Sequence, residues 1–194
     1  NKSKKVYEAN ITVFDALKKS DNDPKGKFSL ERFISAHSIM ISFEGVPAIY
    51  FNSLFGTSND KAKYIITGNN RDLNRYRWNH KNITQKLKNK KSKQSIFYKS
   101  ITNLLEVRRK QKAFHPNGLR SSINMGPKIF CFKRQSVDKK QIIICITNLS
   151  SKTQSKKINY KFLKWKNLLD FKNNHIFDKM IKLKPFQTVW LSNV

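Results

Sequence analysis

The chain has 194 residues and carries 40 lysines and arginines against 12 acidic residues, a formal charge of +28 at neutral pH. Hydrophobic residues make up 38% of the sequence and include 14 phenylalanines, which is enough apolar material for a packed core and excludes a disordered basic tail. Two cysteines exclude a disulfide scaffold, and no apolar run approaches the roughly 20 residues of a membrane span. We therefore expect a folded chain in a reducing, cytoplasmic setting, without membrane association.

The excess of positive charge lies mainly in the second part of the chain. Residues 1–80 carry 13 basic and 8 acidic groups, whereas residues 81–194 carry 27 and 4. Only eight of the basic residues are arginines, although arginine is the side chain that phosphate and base recognition favours. The densest run, Lys81 to Lys93, is typical of a solvated surface segment. We expect no specific nucleic-acid partner, while a basic nucleic-acid-binding module stays open as an alternative function.

The first third of the chain predicts an extended segment, a helix and a buried strand. Residues 6–14 alternate apolar and polar side chains, which indicates a half-buried extended segment. From Leu30 to Phe43 apolar residues cover most of the helical circumference, which predicts a helix packed between layers, with Ser29 as its N-cap. The apolar run from Val46 to Phe51 is typical of a strand buried on both faces of a parallel sheet.

The sequence of the remaining residues predicts a long polar loop, a second helix and a small β-domain. Residues 52–78 are rich in Asn, Gly and Ser, and a long loop at the carboxyl end of a parallel strand is where ligands bind in α/β folds. Residues 94–114 have helical apolar spacing and end near Gly118. Beyond Gly118, short apolar stretches separated by turns predict an antiparallel β-domain of about 75 residues.

Several motifs, in this order along the chain, resemble the C-terminal part of glycoside hydrolase family 13, the α-amylase relatives. They are YxxNxxxxDAL at residues 7–17, GVPAIYF at 45–51, TGNNRDLNR at 67–75, AFHPNG at 113–118 and LKPFQTVWL at 183–191. One departure is Glu44, which stands where the family usually has proline. Within the family, the sequence is most similar to the branch of the sucrose phosphorylases and glucosylglycerate phosphorylases.

The resemblance implies an α/β fold with two domains. Residues 1–118 would be the C-terminal portion of a (β/α)8 TIM barrel, with its eighth strand at residues 46–51, and residues 119–194 a small antiparallel β-sandwich domain. The family performs a retaining double displacement with three carboxylates, all of which would lie upstream of Asn1. The acidic residues present are scattered singly, so we expect no catalytic residue here and no activity of the isolated chain.

The resemblance also assigns three residues to substrate contact. Arg71 matches the arginine of the loop after the eighth strand, which hydrogen-bonds hydroxyls of the bound glucosyl unit. Tyr7 and Glu8 match a pair in the loop after the seventh strand, on the acceptor side where fructose or phosphate arrives. The alternative for Arg71 is pairing with loop carbonyls or Asp72, and the alternative for Tyr7 and Glu8 is ordinary packing.

The other residue types that often carry chemistry predict no further site. The four histidines are far apart and lack metal-ligand spacing, so we expect neither a metal nor a cofactor. Cys131 and Cys145 fall on neighbouring predicted strands and are expected to be core thiols. Five aromatic residues of the β-domain are expected to form its core and not a surface that stacks sugars or bases: Phe130, Phe132, Trp165, Phe171 and Trp190.

The expected function follows from the resemblance. The chain would be the C-terminal part of a sucrose-phosphorylase-like enzyme, which transfers glucose with retention from an α-glucoside such as sucrose to inorganic phosphate. An α-glucoside hydrolase of the same family is the alternative. The sequence leaves open the acceptor, the exact glucoside and the oligomeric state.

Overall fold

The computed structural model describes residues 8–158, 165–170, 176–177 and 180–194 of the chain. Residues 8–118 form helices joined by turns and loops. The α-helices are α1 Val13–Leu17, α2 Ser29–Ser42, α3 Phe51–Leu54, α4 Lys61–Thr67, α5 His80–Lys88 and α6 Lys93–Arg109. Two short 3-10 helices cover Asn70–Asn74 and Lys112–Phe114. Within the described ranges, no helix is both long and apolar enough to cross a bilayer.

Helices α2 and α6 confirm the two long helices that the apolar spacing predicts. The start of α2 depends on a buried ion pair, because the Asp23 carboxylate accepts hydrogen bonds from the backbone N–H of Phe28 at 2.9 Å and from Arg32 at 2.8 Å. These hydrogen bonds, the one from Phe28 above all, lower the pKa of Asp23 to about 2. Ser29 is the first residue of the helix and not its cap, so that prediction is wrong.

The predicted extended segment at residues 6–14 is wrong in its second half. Helix α1 begins at Val13, and the Thr12 hydroxyl accepts a hydrogen bond from the backbone N–H of Asp15 at 3.3 Å. Thr12 and Phe14 are buried, whereas Ile11 and Val13 are exposed, which reverses the predicted alternation. The capping hydroxyl of Thr12 explains the difference, because it stabilises a helical turn at this point. Residues 6 and 7 lie outside the described residues.

The predicted strand from Val46 to Phe51 does not form among the described residues. Residues 46–50 have no regular secondary structure, α3 begins at Phe51, and Val46 is 81% exposed. A strand of a parallel sheet needs parallel neighbours to satisfy its backbone groups. Every pairing of strands in the described part of the chain is antiparallel and lies beyond residue 118, so this segment has no such neighbour.

The second part of the chain confirms the prediction of an antiparallel β-structure. Its strands are β1 Leu119–Ser122, β2 Ile129–Gln135, β3 Ile142–Asn148, β4 Gln154–Lys157, β5 Trp165–Asn167, β6 Ile176–Phe177, β7 Met180–Leu183 and β8 Thr188–Ser192. Six strands form one sheet in the order β1-β2-β3-β8-β5-β6, and β4 pairs with β7 in a second sheet. In register, Cys145 of β3 faces Phe132 of β2 on one side and Trp190 of β8 on the other.

The six-stranded sheet is covered on both faces. On one face, Phe132, Cys145 and Trp190 belong to the same buried cluster as Phe33 of α2 and Ile101 of α6. On the other face, a separate buried cluster joins the six-stranded sheet to the two-stranded one; its members include Ile144, Trp165, Ile181, Leu183 and Val189. Burial on both faces explains why the sequence of β3 is a nearly continuous apolar run.

Two buried arginines join the end of α2 to α6 and the sheet. Together they donate hydrogen bonds to six carbonyl oxygens, those of Ile41, Phe43 and Gly45 from Arg108 and those of Ser42, His115 and Gly118 from Arg134. The last carbonyls of a helix have no partner within the helix, and cations are favoured at that end. Burial lowers the pKa of both guanidinium groups below the usual range. We call this pair the arginine clamp.

The two cysteines are free and buried, as expected of core thiols. Cys131 belongs to the cluster between the two sheets, whereas Cys145 belongs to the cluster that faces the helices. Because successive side chains of a strand point to opposite faces, the two thiols lie on different sides of the six-stranded sheet. Burial raises the pKa of Cys131 to about 12 and also raises the pKa of Cys145.

Both thiols are expected to be inert toward an aromatic disulfide reagent while the chain is folded. The reacting species is the thiolate, and burial suppresses both its formation and its contact with the reagent. The absorbance of the released aromatic thiolate should show no modified cysteine in the native chain at pH 8 and complete modification in denaturant. Rapid modification of either thiol in the native chain would contradict the position given to it here.

Candidate substrate-binding site

The candidate site lies where residues 8–15 meet the loop of residues 52–78. The loop is ordered by its own polar side chains. Asp60 caps α4 by accepting a hydrogen bond from the backbone N–H of Lys63, and Gly68 ends α4 in the left-handed conformation, with φ of 64°. Asn69 then caps the following 3-10 helix by accepting from the backbone N–H of Arg71. The region that the sequence indicates as a polar loop therefore contains two short capped helices.

Two reciprocal hydrogen bonds fasten this loop to the segment before it. The backbone N–H of Thr12 donates to Asn59 Oδ1, and the backbone N–H of Asn59 donates to Asp15 Oδ2, each at 2.8 Å. Asn59 thus accepts one hydrogen bond from the segment and donates another to it, although its partners lie 44 and 47 residues away in the sequence. Sequence reasoning missed Asn59 altogether, since an asparagine in an Asn-rich loop carries no distinguishing local signal.

The structure brings Arg71 and Glu8 together. Arg71 Nε lies 3.2 Å from Glu8 Oε1, and the two side chains are 50% and 40% exposed. The terminal nitrogens of the guanidinium have no partner among the described residues, so they can still donate to hydroxyl groups of a ligand. Tyr7, the third predicted contact residue, lies outside the described residues.

The neighbouring charges of the loop have other roles. Asp72 forms an ion pair with Lys63 at 2.8 Å, which ties the 3-10 helix to α4, and the hydrogen bond from Lys63 lowers the pKa of Asp72. Asp72 is therefore not the partner of Arg71. Arg75 and Arg77 are exposed. The loop consequently presents positive charge around a guanidinium that is held in place by Glu8.

The described residues show no other arrangement that suggests catalysis. No group of three His, Cys, Asp or Glu side chains in the described ranges could hold a metal ion. His37 is buried in α2, where its Nδ1 lies 2.9 Å from the carbonyl oxygen of Phe33, and burial lowers its pKa. The prediction of core aromatics is confirmed for Phe132, Trp165 and Trp190, which are buried. Phe130 is half-buried, and Phe171 lies outside the described residues.

Comparison with known proteins gives the same family as the motifs. The chain is 30% identical to glucosylglycerate phosphorylase of Escherichia coli over 186 residues, which is 95% of this chain and 32% of that protein. It is 34% identical over 111 residues to glucosylglycerate phosphorylase of Allomeiothermus silvanus, covering 57% of this chain and 20% of that one. Sucrose phosphorylase of Agrobacterium vitis is 28% identical over 110 residues, with the same two coverages of 57% and 20%. The chain is thus similar to glucosylglycerate and sucrose phosphorylases, in agreement with the resemblance of its motifs to glycoside hydrolase family 13.

Solved structures of family 13 enzymes share the fold of the chain. AmyP in its maltotriose complex superposes with a TM-score of 0.70 at 15% identity, over 88% of this chain and 36% of AmyP. MutB in its glucose complex gives a TM-score of 0.66 at 12% identity, over 95% of this chain and 42% of MutB. The mixed helical and antiparallel fold of the chain therefore matches a part of these family 13 enzymes. No protein-family model matches the chain.

The chain spans about a third or less of the length of the phosphorylases that it matches. Its similarity to the Escherichia coli protein nevertheless runs through both the helical part and the β-structure, because it covers 95% of the residues.

Proposed function

We propose that the chain is the C-terminal part of a retaining phosphorylase that transfers glucose from an α-glucoside, such as sucrose or glucosylglycerate, to inorganic phosphate. Residues 1–118 would complete a (β/α)8 barrel and residues 119–194 would form the β-sandwich domain that follows it. In that setting residues 46–50 would be the eighth strand. The parallel neighbours that this strand lacks among the described residues would come from the rest of the barrel.

Arg71 is proposed to bind hydroxyl groups of the glucosyl unit. The observation that carries the proposal is the contact between Arg71 and Glu8, in a chain that is similar to a phosphorylase over nearly its whole length. The Glu8 carboxylate engages Nε, which leaves the outer fork of the guanidinium for the ligand. Fixed planar donors suit two adjacent sugar hydroxyls. Tyr7 and Glu8 would border the acceptor side, where phosphate or the aglycone binds.

The catalytic carboxylates would be supplied by other parts of the enzyme. A retaining glycosidase mechanism needs two carboxyl groups about 5 Å apart. Five of the described carboxylates form ion pairs with basic residues instead. We therefore propose that residues 8–194 bind and orient the substrate without performing the covalent step, and that the isolated chain is inactive. A cytoplasmic location is proposed with this function, because the phosphate acceptor is abundant there.

A chimeric enzyme tests the proposal. This chain would replace the aligned third of Escherichia coli glucosylglycerate phosphorylase, and phosphate-dependent formation of glucose 1-phosphate would be measured with glucosylglycerate and with sucrose. We expect measurable phosphorolysis of at least one glucoside by the chimera and none by the isolated chain. Release of free glucose without any need for phosphate would favour the hydrolase alternative. A folded chimera that is inactive on both glucosides would contradict the proposal.

A further inference from the structure

The turn between β7 and β8 holds a phenylalanine in a backbone conformation that this residue type rarely adopts. Phe186 has a φ of 52°, in the left-handed region that favours glycine. The turn closes through a hydrogen bond from the backbone N–H of Gln187 to the carbonyl oxygen of Lys184 at 3.1 Å. A bulky side chain in this region costs free energy and persists only where the surrounding contacts determine the conformation. The contacts of Phe186 must therefore compensate for the strain.

The backbone of this turn is fixed by the six-stranded sheet. Asn148 Nδ2 donates to the carbonyl oxygen of Lys184 at 2.9 Å, and Asn148 is itself fully buried at the end of β3. The backbone N–H of Phe186 donates to the carbonyl oxygen of Ser150 at 3.3 Å. Gln187 Oε1 accepts from the backbone N–H of Lys184 at 2.8 Å. The sheet thus sets the position of the turn and of the Phe186 side chain that it carries.

The Phe186 side chain packs at the start of α2. Its ring centroid lies 5.6 Å from that of Phe28 and 5.3 Å from Cζ of Arg32, whose guanidinium lies over the ring. Arg32 is 8% exposed and forms the ion pair with Asp23. A cation over an aromatic face is attracted by the ring, and the attraction is stronger where water is excluded. Phe186 therefore covers and orients a buried guanidinium.

Arg32 in turn holds the C-terminal end of α1. Its Nε donates to the carbonyl oxygen of Leu17 at 2.7 Å, and its Nη2 donates to that of Lys18 at 2.6 Å. The last carbonyls of a helix have no partner within the helix, so these hydrogen bonds fix the position at which α1 ends. The same guanidinium thus contacts Phe186 with its face and the end of α1 with its edge.

The rest of α1 is attached to the loop that carries Arg71. Thr12, the N-cap of α1, donates a hydrogen bond to Asn59, and Asp15 accepts one from it, each at 2.8 Å. Because α1 has only five residues, a displacement of its C-terminal end also displaces Asp15. A shift of Arg32 is therefore expected to reach the backbone of Asn59.

We propose that Phe186 is a positioning residue for the substrate-binding loop: its ring fixes Arg32, Arg32 fixes α1, and α1 holds the loop at Asn59. The inference rests on the proposed function, because the position of this loop affects the reaction only if Arg71 binds the glucoside. It gives the β-structure, which contains none of the candidate contact residues, a role in substrate binding.

Amide hydrogen exchange of the isolated chain tests the proposal without any need for activity. The backbone N–H groups of Thr12 and Asn59 donate across the contact between α1 and the loop, so their exchange rates measure how firmly the loop is held. Phe186→Ala should raise both rates about tenfold or more, whereas Phe186→Tyr, which keeps the ring, should leave them within about twofold. If Phe186→Ala prevents folding, Phe186→Leu is the milder change and should give intermediate rates.

Ile181→Ala is the matched control. Ile181 lies on β7, just before the same turn, but it is buried in the cluster between the two sheets. This variant should raise exchange rates in β4 and β7 and leave those of Thr12 and Asn59 within about twofold. Equal acceleration at Thr12 and Asn59 in Ile181→Ala and Phe186→Ala, or acceleration in neither, would overturn the proposal.

The chimeric phosphorylase separates this inference from the proposed function. In the chimera, Phe186→Ala should raise KM for the glucoside about fivefold with a smaller change in kcat, because a loosely held loop weakens ground-state and transition-state binding alike. Phe186→Tyr should retain the original KM. An active chimera whose KM is unchanged in Phe186→Ala would overturn the positioning role and leave the proposed function intact. An inactive wild-type chimera would contradict the proposed function, and hydrogen exchange would still decide whether Phe186 holds the loop.

Discussion

Replacing Arg134 by methionine is expected to lower the free energy of unfolding of the chain by about 3 kcal/mol. The Arg134 side chain is fully buried and donates to the carbonyl oxygens of Ser42 and His115 at 2.9 and 2.8 Å. Methionine would fill much of the space but leave these carbonyls without donors. Each unsatisfied buried acceptor costs about 1–3 kcal/mol. Chemical denaturation, monitored by circular dichroism, gives the difference directly.

The loss of stability in Arg134→Met is limited by the free energy that burial of the charged guanidinium costs in the wild-type chain. Its Nε is buried without a partner in the described structure, and burial lowers the pKa of Arg134, so the charged group is not ideally solvated by the protein. Replacing a buried charge by an apolar group can recover part of that cost. The three lost hydrogen bonds outweigh this recovery, which is why we expect net destabilisation.

Arg120→Met is the matched control for the arginine clamp. Arg120 lies on β1, next to Arg134 in the register of the sheet, but its side chain is 33% exposed and pairs with Glu44 at 2.6 Å. An exposed ion pair contributes about 0–1 kcal/mol, so this variant should stay within about 1 kcal/mol of the wild type. Equal losses in the two variants would show that the carbonyls of the α2 end do not depend on Arg134.

The sequence predicts correctly those helices and strands whose apolar residues repeat with the period of the structure that they form. Helices α2 and α6 and the strands β2, β3 and β8 are amphipathic or apolar in the period of their own structure, so they are found near their predicted positions. Residues 46–50 have the composition of a buried strand but no neighbouring parallel strand among the described residues. Strand formation depends on such partners, and no local pattern in the sequence reveals whether they are present.

The candidate site is predictable only in part, for a similar reason. Arg71 and Glu8 are 63 residues apart, and nothing in their local sequence indicates that they meet; the motifs of family 13 supply both positions. The hydrogen bonds of Asn59, the pairing of Lys63 with Asp72 and the arginine clamp all join residues that are distant or unremarkable in sequence. Long-range polar contacts of this kind require the three-dimensional arrangement.

The basic run at residues 81–93 lies on the surface of the helical part. The ion pairs among the described residues use the bases Arg32, Lys63, Arg71, Lys112 and Arg120, of which Lys63 and Arg71 belong to the candidate site. Most lysines of the basic run at residues 81–93 are exposed on α5 and the turn after it, whereas Ile83 is buried. This agrees with a solvated surface segment. Lysine on such a surface contributes solubility more than recognition.

Replacing Arg71 by alanine in the chimeric phosphorylase is expected to lower kcat/KM for glucosyl transfer to phosphate by about 100-fold, which corresponds to about 3 kcal/mol of transition-state binding. The reason is the loss of charged donors that the structure leaves unused by the protein itself. Initial rates of glucose 1-phosphate formation, measured over a range of glucoside concentrations, provide kcat and KM separately. Unchanged rates would remove Arg71 from the site.

Two companion variants distinguish direct binding from support of the loop. Arg75→Ala removes an exposed arginine four residues further along the same chain segment and should change kcat/KM by less than about threefold. Glu8→Gln breaks the ion pair with Arg71 but keeps the guanidinium, and it keeps a hydrogen-bonding side chain of the same size on the acceptor side, so a direct role of Arg71 predicts a much smaller loss than in Arg71→Ala. If Glu8→Gln and Arg71→Ala lose the same activity, Arg71 acts through its contact with Glu8, by holding the loop against residues 8–15, and not by binding the sugar.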